Sequence, residues 1–208
     1  MKKVLFITRE DSFNNNIIIP FIKKNFEATI ICENRTKSIS KTVYDWSGDY
    51  IFSYLCPWII PMSVIKKAEI AAINFHPGSP KYPGSGCYNF AIYNGEKEYG
   101  VTCHFLSKKV DTGQIISVKT FPLLEDDNVE DLINRTYVYL NILFFDITLR
   151  LIKNKPLPNS ELKWGRLPYT KKQLDNLCVL SKKMKQSEIE RRKKATTYGE
   201  YSPKFIDK

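Results

Sequence analysis

Residues 62–78 read MSVIKKAEIAAINFHPG and combine a helix signal with a strand signal. Met62 to Glu69 follows Pro61, a residue suited to a helix start, and therefore predicts a helix. Ile70 to Phe75 is a short, mainly apolar run, which predicts a buried strand. A helix that leads directly into a buried strand is typical of parallel sheets, whose successive strands are connected by helices.

The same alternation continues on both sides of this unit. Short apolar runs predict further strands, and longer amphipathic segments between them predict helices. The predicted strands are Lys3 to Thr8, Ala28 to Cys32, Tyr50 to Tyr54, Gly100 to Leu106 and Gln114 to Phe121, and the predicted helices are Asn16 to Asn25 and Cys87 to Tyr93. We therefore predict an α/β fold with a mostly parallel sheet that is covered on both faces.

A long amphipathic helix is predicted after the last of these strands. From Val129 to Leu151, mainly apolar residues recur at spacings of three and four, and Pro156 follows soon afterwards. Asp127 and Glu130 have the spacing of a capping box, which predicts that the helix begins there.

The composition is that of a globular chain. The 208 residues are 43% hydrophobic, and no apolar run approaches the roughly 18 residues that a membrane helix needs. The opening residues lack the pattern of a signal peptide. Five cysteines without a C-x-x-C pair predict neither a disulfide framework nor a zinc site. These features predict a cytoplasmic protein without a membrane partner.

Positive charge is concentrated in the tail. Residues 1–152 carry 17 Lys and Arg against 16 Asp and Glu, whereas residues 153–208 carry 15 against 6. We predict a catalytic-sized domain over 1–152, a linker over Lys153 to Lys163, and then a helical tail with Ser187 to Thr197 as its clearest helix. A basic run is compatible with nucleic acid or an anionic small substrate, but a solvated helical face explains it more often.

Only two histidines are present, and one of them ends the strand in the opening stretch. In extended backbone, residues two apart share a face, so Asn74 and His76 lie on one side while Phe75 packs on the other. Pro77 disfavours helix at His76, which preserves this arrangement. A carboxamide and an imidazole at the carboxyl end of a strand lie where open α/β sheets bind ligands, although such residues are often only structural.

A second polar group lies between two predicted strands. His104 ends one of them, and Asp111 occupies a turn that Gly113 can close. By itself, Asp111 is more typical of a turn than of a catalytic site. His76, His104 and Asp111 are possible metal ligands by type, but they lack the spacing of a metal motif, so we predict no metal.

Taken together, these motifs resemble the 10-formyltetrahydrofolate-dependent formyltransferases. The resemblance rests on Asn-x-His-Pro at 74–77, Tyr-Pro-Gly at 82–84, Gly-Val-Thr-x-His at 100–104 and Asp-Thr-Gly at 111–113. Within that family, residues 74–93 are most similar to the nucleotide-sugar N-formyltransferases, and RLPYT at 166–170 resembles their tail. The resemblance implies a Rossmann-like sheet of the formyltransferase type with a short basic helical tail.

The resemblance also implies which residues act. Asn74, His76 and Asp111 correspond to the family's catalytic trio: an amide to stabilise an oxyanion, an imidazole either to stabilise the same oxyanion when protonated or to take the proton of the amine, and a carboxylate to orient that imidazole. His104 is interpreted as a supporting or structural residue. The segment 52–61 corresponds to the chain that holds the folate, chiefly through backbone groups.

The binding predictions follow from the same resemblance and from charge. The residues predicted to bind the donor, 10-formyltetrahydrofolate, are Trp58, Ile59, Ile60, Val110 and Asp111. The residues predicted to bind the acceptor are Arg9, Lys81 and Tyr82. Arg9 and Lys81 are chosen for their charge, because cations suit the diphosphate of a nucleotide sugar.

The predicted function is formyl transfer to the amine of a nucleotide-linked amino sugar, a dideoxy sugar used in surface lipopolysaccharide. The first alternative is formylation of glycinamide ribonucleotide, but Thr8 to Asn14 lacks the glycine that a phosphate loop needs. The second is a tRNA- or RNA-binding protein on a formyltransferase scaffold. The intact catalytic trio argues against a pure binding role. The leucines of the tail are too few for an independent core, which predicts docking on the domain or a homodimer.

Overall fold

The computed structural model describes residues 1–206 and contains a six-stranded sheet in the order β2-β1-β3-β4-β5-β6. The strands are β1 (Lys3–Arg9), β2 (Glu27–Glu33), β3 (Gly48–Tyr54), β4 (Ala68–His76), β5 (Glu98–Phe105) and β6 (Ile115–Pro122). The first four pair in parallel, and β5 and β6 extend the sheet as antiparallel strands. The predicted α/β fold with a mostly parallel sheet is therefore confirmed.

Helices connect the parallel strands and cover the sheet. They are α1 (Asn15–Asn25), α2 (Lys41–Asp45), α3 (Met62–Ile65), α4 (Cys87–Tyr93), α5 (Val129–Ile152), α6 (Lys171–Leu177) and α7 (Gln186–Thr196), and the tail adds two short paired strands, β7 (Val179–Leu180) and β8 (Lys204–Phe205). Over residues 1–206, none of these helices combines the length and apolarity needed to cross a membrane.

Buried side chains form a layer on each face of the sheet. On one face, α1 and α5 pack against the aromatic residues of β1, β3 and β4, with Phe144 in contact with Phe6, Phe52 and Phe75. On the other face, residues of α2 and α3 pack against Leu5, Ile7 and Ile51. Burial on both faces explains why the parallel strands are continuous apolar runs.

One helix is predicted too long, and another is missed. The helix predicted over Met62 to Glu69 ends at Ile65, because β4 begins at Ala68, where it pairs with Gly48 of β3. Pairing with a neighbouring strand outweighs the local helix signal of this segment. A second difference is α2, a five-residue helix too short to show a periodicity in the sequence.

The start of α5 also differs from the prediction. The capping box consists of Asn128 and Asp131, each accepting a backbone N–H from the other, and not of Asp127 and Glu130. The carboxylate of Asp127 instead accepts a hydrogen bond from the N–H of Leu124 and forms an ion pair with Arg135. The shift of one residue arises because a tertiary ion pair competes for Asp127.

The tail packs against the rest of the protein. Leu177 of α6 and Ala195 of α7 are buried in a cluster with Phe90 of α4, Tyr99 of β5 and residues of β6 and α5. Leu180 is also fully buried, although it follows α6 and does not continue that helix.

Candidate active site

Four polar side chains lie close together at the carboxyl end of β4 and beside the neighbouring strand β5. Asn74 and His76 leave the same face of β4, whereas Phe75 points into the core. β5 runs antiparallel to β4, and the register of this pair places His104 opposite Asn74. Asp111 lies in the connection from β5 to β6 with a φ of 45°, an uncommon conformation for a residue with a side chain.

The Asp111 carboxylate contacts all the other polar groups of this cluster. Its Oδ2 lies 3.3 Å from Nδ1 of His76 and accepts a 2.8 Å hydrogen bond from the N–H of Gly84. Its Oδ1 lies 3.2 Å from Nε2 of His104 and 3.5 Å from Nδ2 of Asn74. The three residues predicted as a catalytic trio are therefore brought together by the fold, with His104 as a fourth member.

Asp111 is a buried anion. Burial of its carboxyl opposes ionisation, but the imidazoles of His76 and His104 and the N–H of Gly84 outweigh this effect. The pKa of Asp111 consequently lies well below its ordinary value, although only 7% of the residue is exposed. A fixed negative charge therefore lies beside both imidazoles across the neutral pH range.

His76 faces a hydrogen-bond acceptor at each ring nitrogen. Its Nδ1 faces Asp111, and its Nε2 lies 3.1 Å from the carbonyl oxygen of Tyr82. A neutral imidazole has one N–H and satisfies one of these acceptors, whereas the imidazolium satisfies both. Burial nevertheless lowers the pKa of His76 against the opposing charge of Asp111. The ring is therefore neutral at pH 7, and when it takes up a proton both of its N–H groups find an acceptor, as suits a general base.

The orientation of the Asn74 amide is determined by its neighbours. Its Oδ1 accepts a 2.6 Å hydrogen bond from the hydroxyl of Ser53, the residue opposite it on β3. This directs the amide nitrogen towards Nε2 of His104, 3.0 Å away, and towards Asp111. Asn74 is also the least buried of the four residues.

His104 is anchored as a supporting residue. Its Nδ1 contacts the carbonyl oxygen of Phe105 at 2.8 Å, and its Nε2 lies 3.0 Å from Nδ2 of Asn74 and 3.2 Å from Oδ1 of Asp111. Only 1% of the residue is exposed. Among the residues that the structure describes, no group of histidines, cysteines and carboxylates is arranged to hold a metal ion.

Several contacts of this cluster involve residues to which the sequence patterns assigned no role in it. Ser53 and Gly84 act through pairing and loop geometry, and a side chain at Gly84, where φ is 87°, would overlap the backbone of Tyr169. Trp164 lies against both histidines, with ring centroids 5.8 Å from His76 and 5.0 Å from His104. It directly follows the segment predicted to be a linker, and no motif identified it.

The segment predicted to bind the donor connects β3 to α3. Trp58 is half-buried and donates its indole N–H to the carbonyl oxygen of Lys37, while Ile59 is 68% exposed. Ile60 is buried against the core beneath the sheet, so its side chain is not available to a ligand. Val110 is exposed beside Asp111. Donor binding by this segment stays a prediction, and for Ile60 it would have to use the backbone.

The three residues predicted to bind the acceptor belong to two separate networks. Arg9, the last residue of β1, donates a 2.8 Å hydrogen bond to the hydroxyl of Tyr137 and lies 3.1 Å from Asp11. Lys81 forms a 3.0 Å ion pair with Glu96. Tyr82 is buried, and its hydroxyl donates to the same Glu96. Both cations therefore have partners in the protein, and their role towards a substrate stays a prediction.

Comparison with known proteins identifies the family. Residues 8–141 match the sequence profile of the formyl transferases, which is well over half of the chain and includes Asn74, His76 and Asp111. The chain belongs to the formyl transferase family. The match ends before Trp164, so the part of this formyl transferase that covers the histidines lies outside the shared profile.

Solved structures show the same fold along nearly the whole chain. A 4-N formyltransferase from Francisella tularensis is 20% identical with a TM-score of 0.79, and the alignment covers 99% of this formyl transferase and 93% of that chain. A sugar N-formyltransferase from Shewanella is 19% identical with a TM-score of 0.76, covering 100% and 93%. An N-formyltransferase from Helicobacter canadensis, solved with folinic acid and dTDP-3-aminofucose, is 21% identical with a TM-score of 0.72, covering 94% and 80%.

Proteins that are similar in sequence include methionyl-tRNA formyltransferases and a bifunctional polymyxin resistance protein. A methionyl-tRNA formyltransferase from Pediococcus pentosaceus is 31% identical over 113 residues, which is 54% of this formyl transferase and 35% of the relative. A bifunctional polymyxin resistance protein, ArnA, from Wigglesworthia glossinidia brevipalpis is 36% identical over 51% of this chain and 16% of its own. This formyl transferase thus spans about a third of the length of the methionyl-tRNA formyltransferases that it matches.

Proposed function

We propose that this protein transfers the formyl group of 10-formyltetrahydrofolate to the primary amine of a nucleotide-linked amino sugar. The observation that carries the proposal is the buried Asp111 carboxylate in contact with His76, His104 and Asn74. A purely structural role would not require a buried anion, two imidazoles and an oriented amide at the ligand-binding edge of an α/β sheet.

The reaction makes use of each of these groups. The amine nitrogen attacks the formyl carbon, and a tetrahedral intermediate with an anionic oxygen forms. The NH2 group of Asn74, oriented by Ser53, donates to that oxygen, a contact worth about 3 kcal/mol in comparable sites.

The proton of the amine passes to His76. As the ring becomes an imidazolium, both of its N–H groups have acceptors within reach, one on Asp111 and one on Tyr82. The intermediate then collapses, the bond from the formyl carbon to the donor nitrogen breaks, and that nitrogen takes up the proton. The products are an N-formyl amino sugar and tetrahydrofolate.

The choice of a sugar acceptor is supported by fold similarity. The sugar N-formyltransferase from Shewanella aligns with a TM-score of 0.76, compared with 0.69 for a methionyl-tRNA formyltransferase from Clostridium thermocellum, which the chain covers over 88% of its length. A dideoxy amino sugar for lipopolysaccharide, a homodimer and a cytoplasmic location belong to the same proposal. Glycinamide ribonucleotide and methionyl-tRNA are the competing acceptors.

A comparison of acceptors tests this proposal. The protein is incubated with 10-formyltetrahydrofolate and, in separate reactions, with a panel of UDP- and dTDP-linked amino sugars, glycinamide ribonucleotide and methionyl-tRNA. Mass spectrometry should show one added formyl group on a nucleotide sugar and none on the other two acceptors. His76→Ala is the control for enzymatic transfer. Formylation restricted to methionyl-tRNA or to glycinamide ribonucleotide would contradict the proposal.

A further inference from the structure

Trp164, a residue of the tail, lies against both histidine rings. Its ring meets His104 edge-on at 5.0 Å and 85°, and His76 at 5.8 Å and 69°. Its indole N–H donates a 2.8 Å hydrogen bond to the carbonyl oxygen of Gly113, two residues after Asp111. One side chain therefore contacts both imidazoles and the turn that carries the carboxylate between them.

Hydrogen bonds on both sides of Trp164 in the chain hold its segment in place. On one side, the side chain of Gln114 donates to Asn159. On the other, Gly165 donates to the carbonyl oxygen of Pro80, and Tyr169 exchanges two backbone hydrogen bonds with the same loop, to Pro83 and from Ser85. This loop includes Tyr82, the partner of His76, and Gly84, a partner of Asp111. The segment that carries Trp164 thus joins the two loops that hold the catalytic groups.

We propose that Trp164 is a positioning residue of the active site, which holds the Asp111 turn and excludes water from the two imidazoles. The expected effect on turnover rests on the proposed function, whereas the expected effect on the titration of His76 does not. Removing the indole would open a space beside both rings and leave the carbonyl oxygen of Gly113 without this donor. A displacement of about 1 Å in a catalytic group is enough to lower a rate by as much as a hundredfold.

Water exclusion by Trp164 has a measurable consequence for His76. The titratable groups around His76 are the Asp111 carboxylate from the β5–β6 connection, His104 from β5 and the Cys87 thiol from α4, which is uncharged because burial raises its pKa to about 12. Burial lowers the pKa of His76, and Asp111 opposes this. When water replaces the indole, the burial effect weakens while Asp111 remains, so the pKa of His76 should rise.

The experiment uses the fact that the chain has only two histidines. The ring signals of His76 and His104 are followed by NMR from pH 4 to 9 in the folded protein, with His104→Gln to assign them. In Trp164→Ala, we expect the pKa of His76 to rise by about half a unit to one unit. Turnover should fall about tenfold, while the KM values for donor and acceptor change less than about threefold.

Two further variants separate the parts of the proposal. Trp164→Phe keeps a ring against the histidines but lacks the N–H, so we expect an unchanged His76 titration with turnover reduced about threefold. Leu167→Ala, three residues along the same segment and 80% exposed, is the matched control and should resemble the parent protein in both measurements. If Trp164→Ala does not fold, Trp164→Phe still tests the proposal, because it removes one hydrogen bond and little side-chain volume.

The outcomes are distinct. A Trp164→Ala protein with the parent His76 titration and parent turnover would overturn the proposal, as would a Trp164→Phe protein with full turnover if the alanine variant is unfolded. A shifted titration in a protein that formylates no amino sugar would support the role of Trp164 and count against the proposed function.

Discussion

Ser53 determines which end of the Asn74 amide faces the reaction. The hydroxyl donates to Oδ1 of Asn74 at 2.6 Å, so the NH2 group is directed into the cluster. Without this donor, only the contacts of the amide nitrogen with His104 and Asp111 would orient the amide, so the NH2 group would be directed less firmly. One hydroxyl on β3 thereby assigns the donor that the proposed mechanism needs on β4.

We predict that Ser53→Ala lowers turnover about tenfold while both KM values stay close to those of the parent protein. The loss arises from misorientation of Asn74 in the transition state and not from weaker binding. Steady-state kinetics with both substrates measure the effect. Ser187→Ala, an exposed serine on α7, is the matched control. A raised KM with unchanged turnover would place Ser53 in substrate binding instead.

His76 and Asp111 differ in what their substitution does to the pH profile. His76→Ala removes the base, and Asp111→Asn removes the charge that raises the pKa of His76, so each should lower turnover about a hundredfold or more. In the parent protein, kcat/KM should fall as pH decreases through a value below about 6.5, because burial lowers the pKa of His76.

In Asp111→Asn, the remaining activity should show this acid limb at a still lower pH, since the attraction that favours the imidazolium is gone. Profiles of kcat/KM against pH for the two proteins test the sign of the shift. An acid limb that moves to higher pH in Asp111→Asn would show that the interaction between the two groups is assigned wrongly. Near-normal turnover in either variant would remove that residue from the mechanism.

At the scale of elements, polar residues lie at the carboxyl ends of neighbouring strands. β1 ends in Arg9, β3 is followed by the segment predicted to bind the donor, and β4 ends in His76. Parallel pairing of these strands places their ends on one edge of the sheet. The cation at the end of β1 is therefore on the edge where the proposed acceptor would bind.

We predict that Arg9→Met raises the KM for the nucleotide sugar several-fold and leaves the KM for the folate donor nearly unchanged, because a diphosphate would lose a cationic partner. Lys81→Met should have a similar but smaller effect. Lys24→Met, at the exposed end of α1, is the control for a loss of surface charge. Equal increases in both KM values would mean that the acceptor pocket is misplaced.

At the scale of the whole molecule, the tail is part of the folded unit. Leu177 is buried against α4, β5 and β6, and the neighbouring aromatic ring of Tyr169 stacks on Phe90 at 3.7 Å. Truncation of a buried leucine costs about 2–5 kcal/mol. Leu177→Ala should therefore lower the free energy of unfolding by about that amount, and deletion of residues 161–208 should weaken folding further.

Urea denaturation followed by circular dichroism measures both effects, with Leu167→Ala as the exposed control. Sedimentation of the parent and deleted proteins at the same concentration tests the predicted homodimer and any contribution of the tail to it. A deleted protein that unfolds at the parent urea concentration would show that the tail is a separate unit.

The basic residues of the tail should bind nucleic acid only weakly. Arg166 lies over the ring of Tyr169 and Arg191 over that of Tyr93, so part of the positive charge is used within the protein. We predict weak binding to tRNA at physiological salt, with an affinity that decreases steeply as salt is raised. Fluorescence anisotropy with labelled tRNA measures this. Submicromolar binding that resists salt would favour the nucleic-acid alternative.

Some features of the site follow from local rules that a sequence displays. Asn74 and His76 are predictable as a pair because side chains alternate along a strand, and Pro77 keeps the strand extended to its end. Asp111 required the combination of several motifs, since a turn aspartate alone has many explanations. The boundaries of α3 and of the α5 capping box were mispredicted, because Ala68 pairs with another strand and Asp127 with Arg135.

The sequence by itself determined the α/β class and the mostly parallel sheet, because alternation and turn chemistry act over a few residues. The trio Asn74, His76 and Asp111 was predicted from the resemblance of the combined motifs to the formyltransferases. Only the tertiary structure decided that Ser53 orients Asn74, that His104 joins Asp111, and that Trp164 covers both histidines. These contacts depend on strand register and on the path of the tail, which connects residues about 50 to 90 positions apart, and neither is encoded in local spacing.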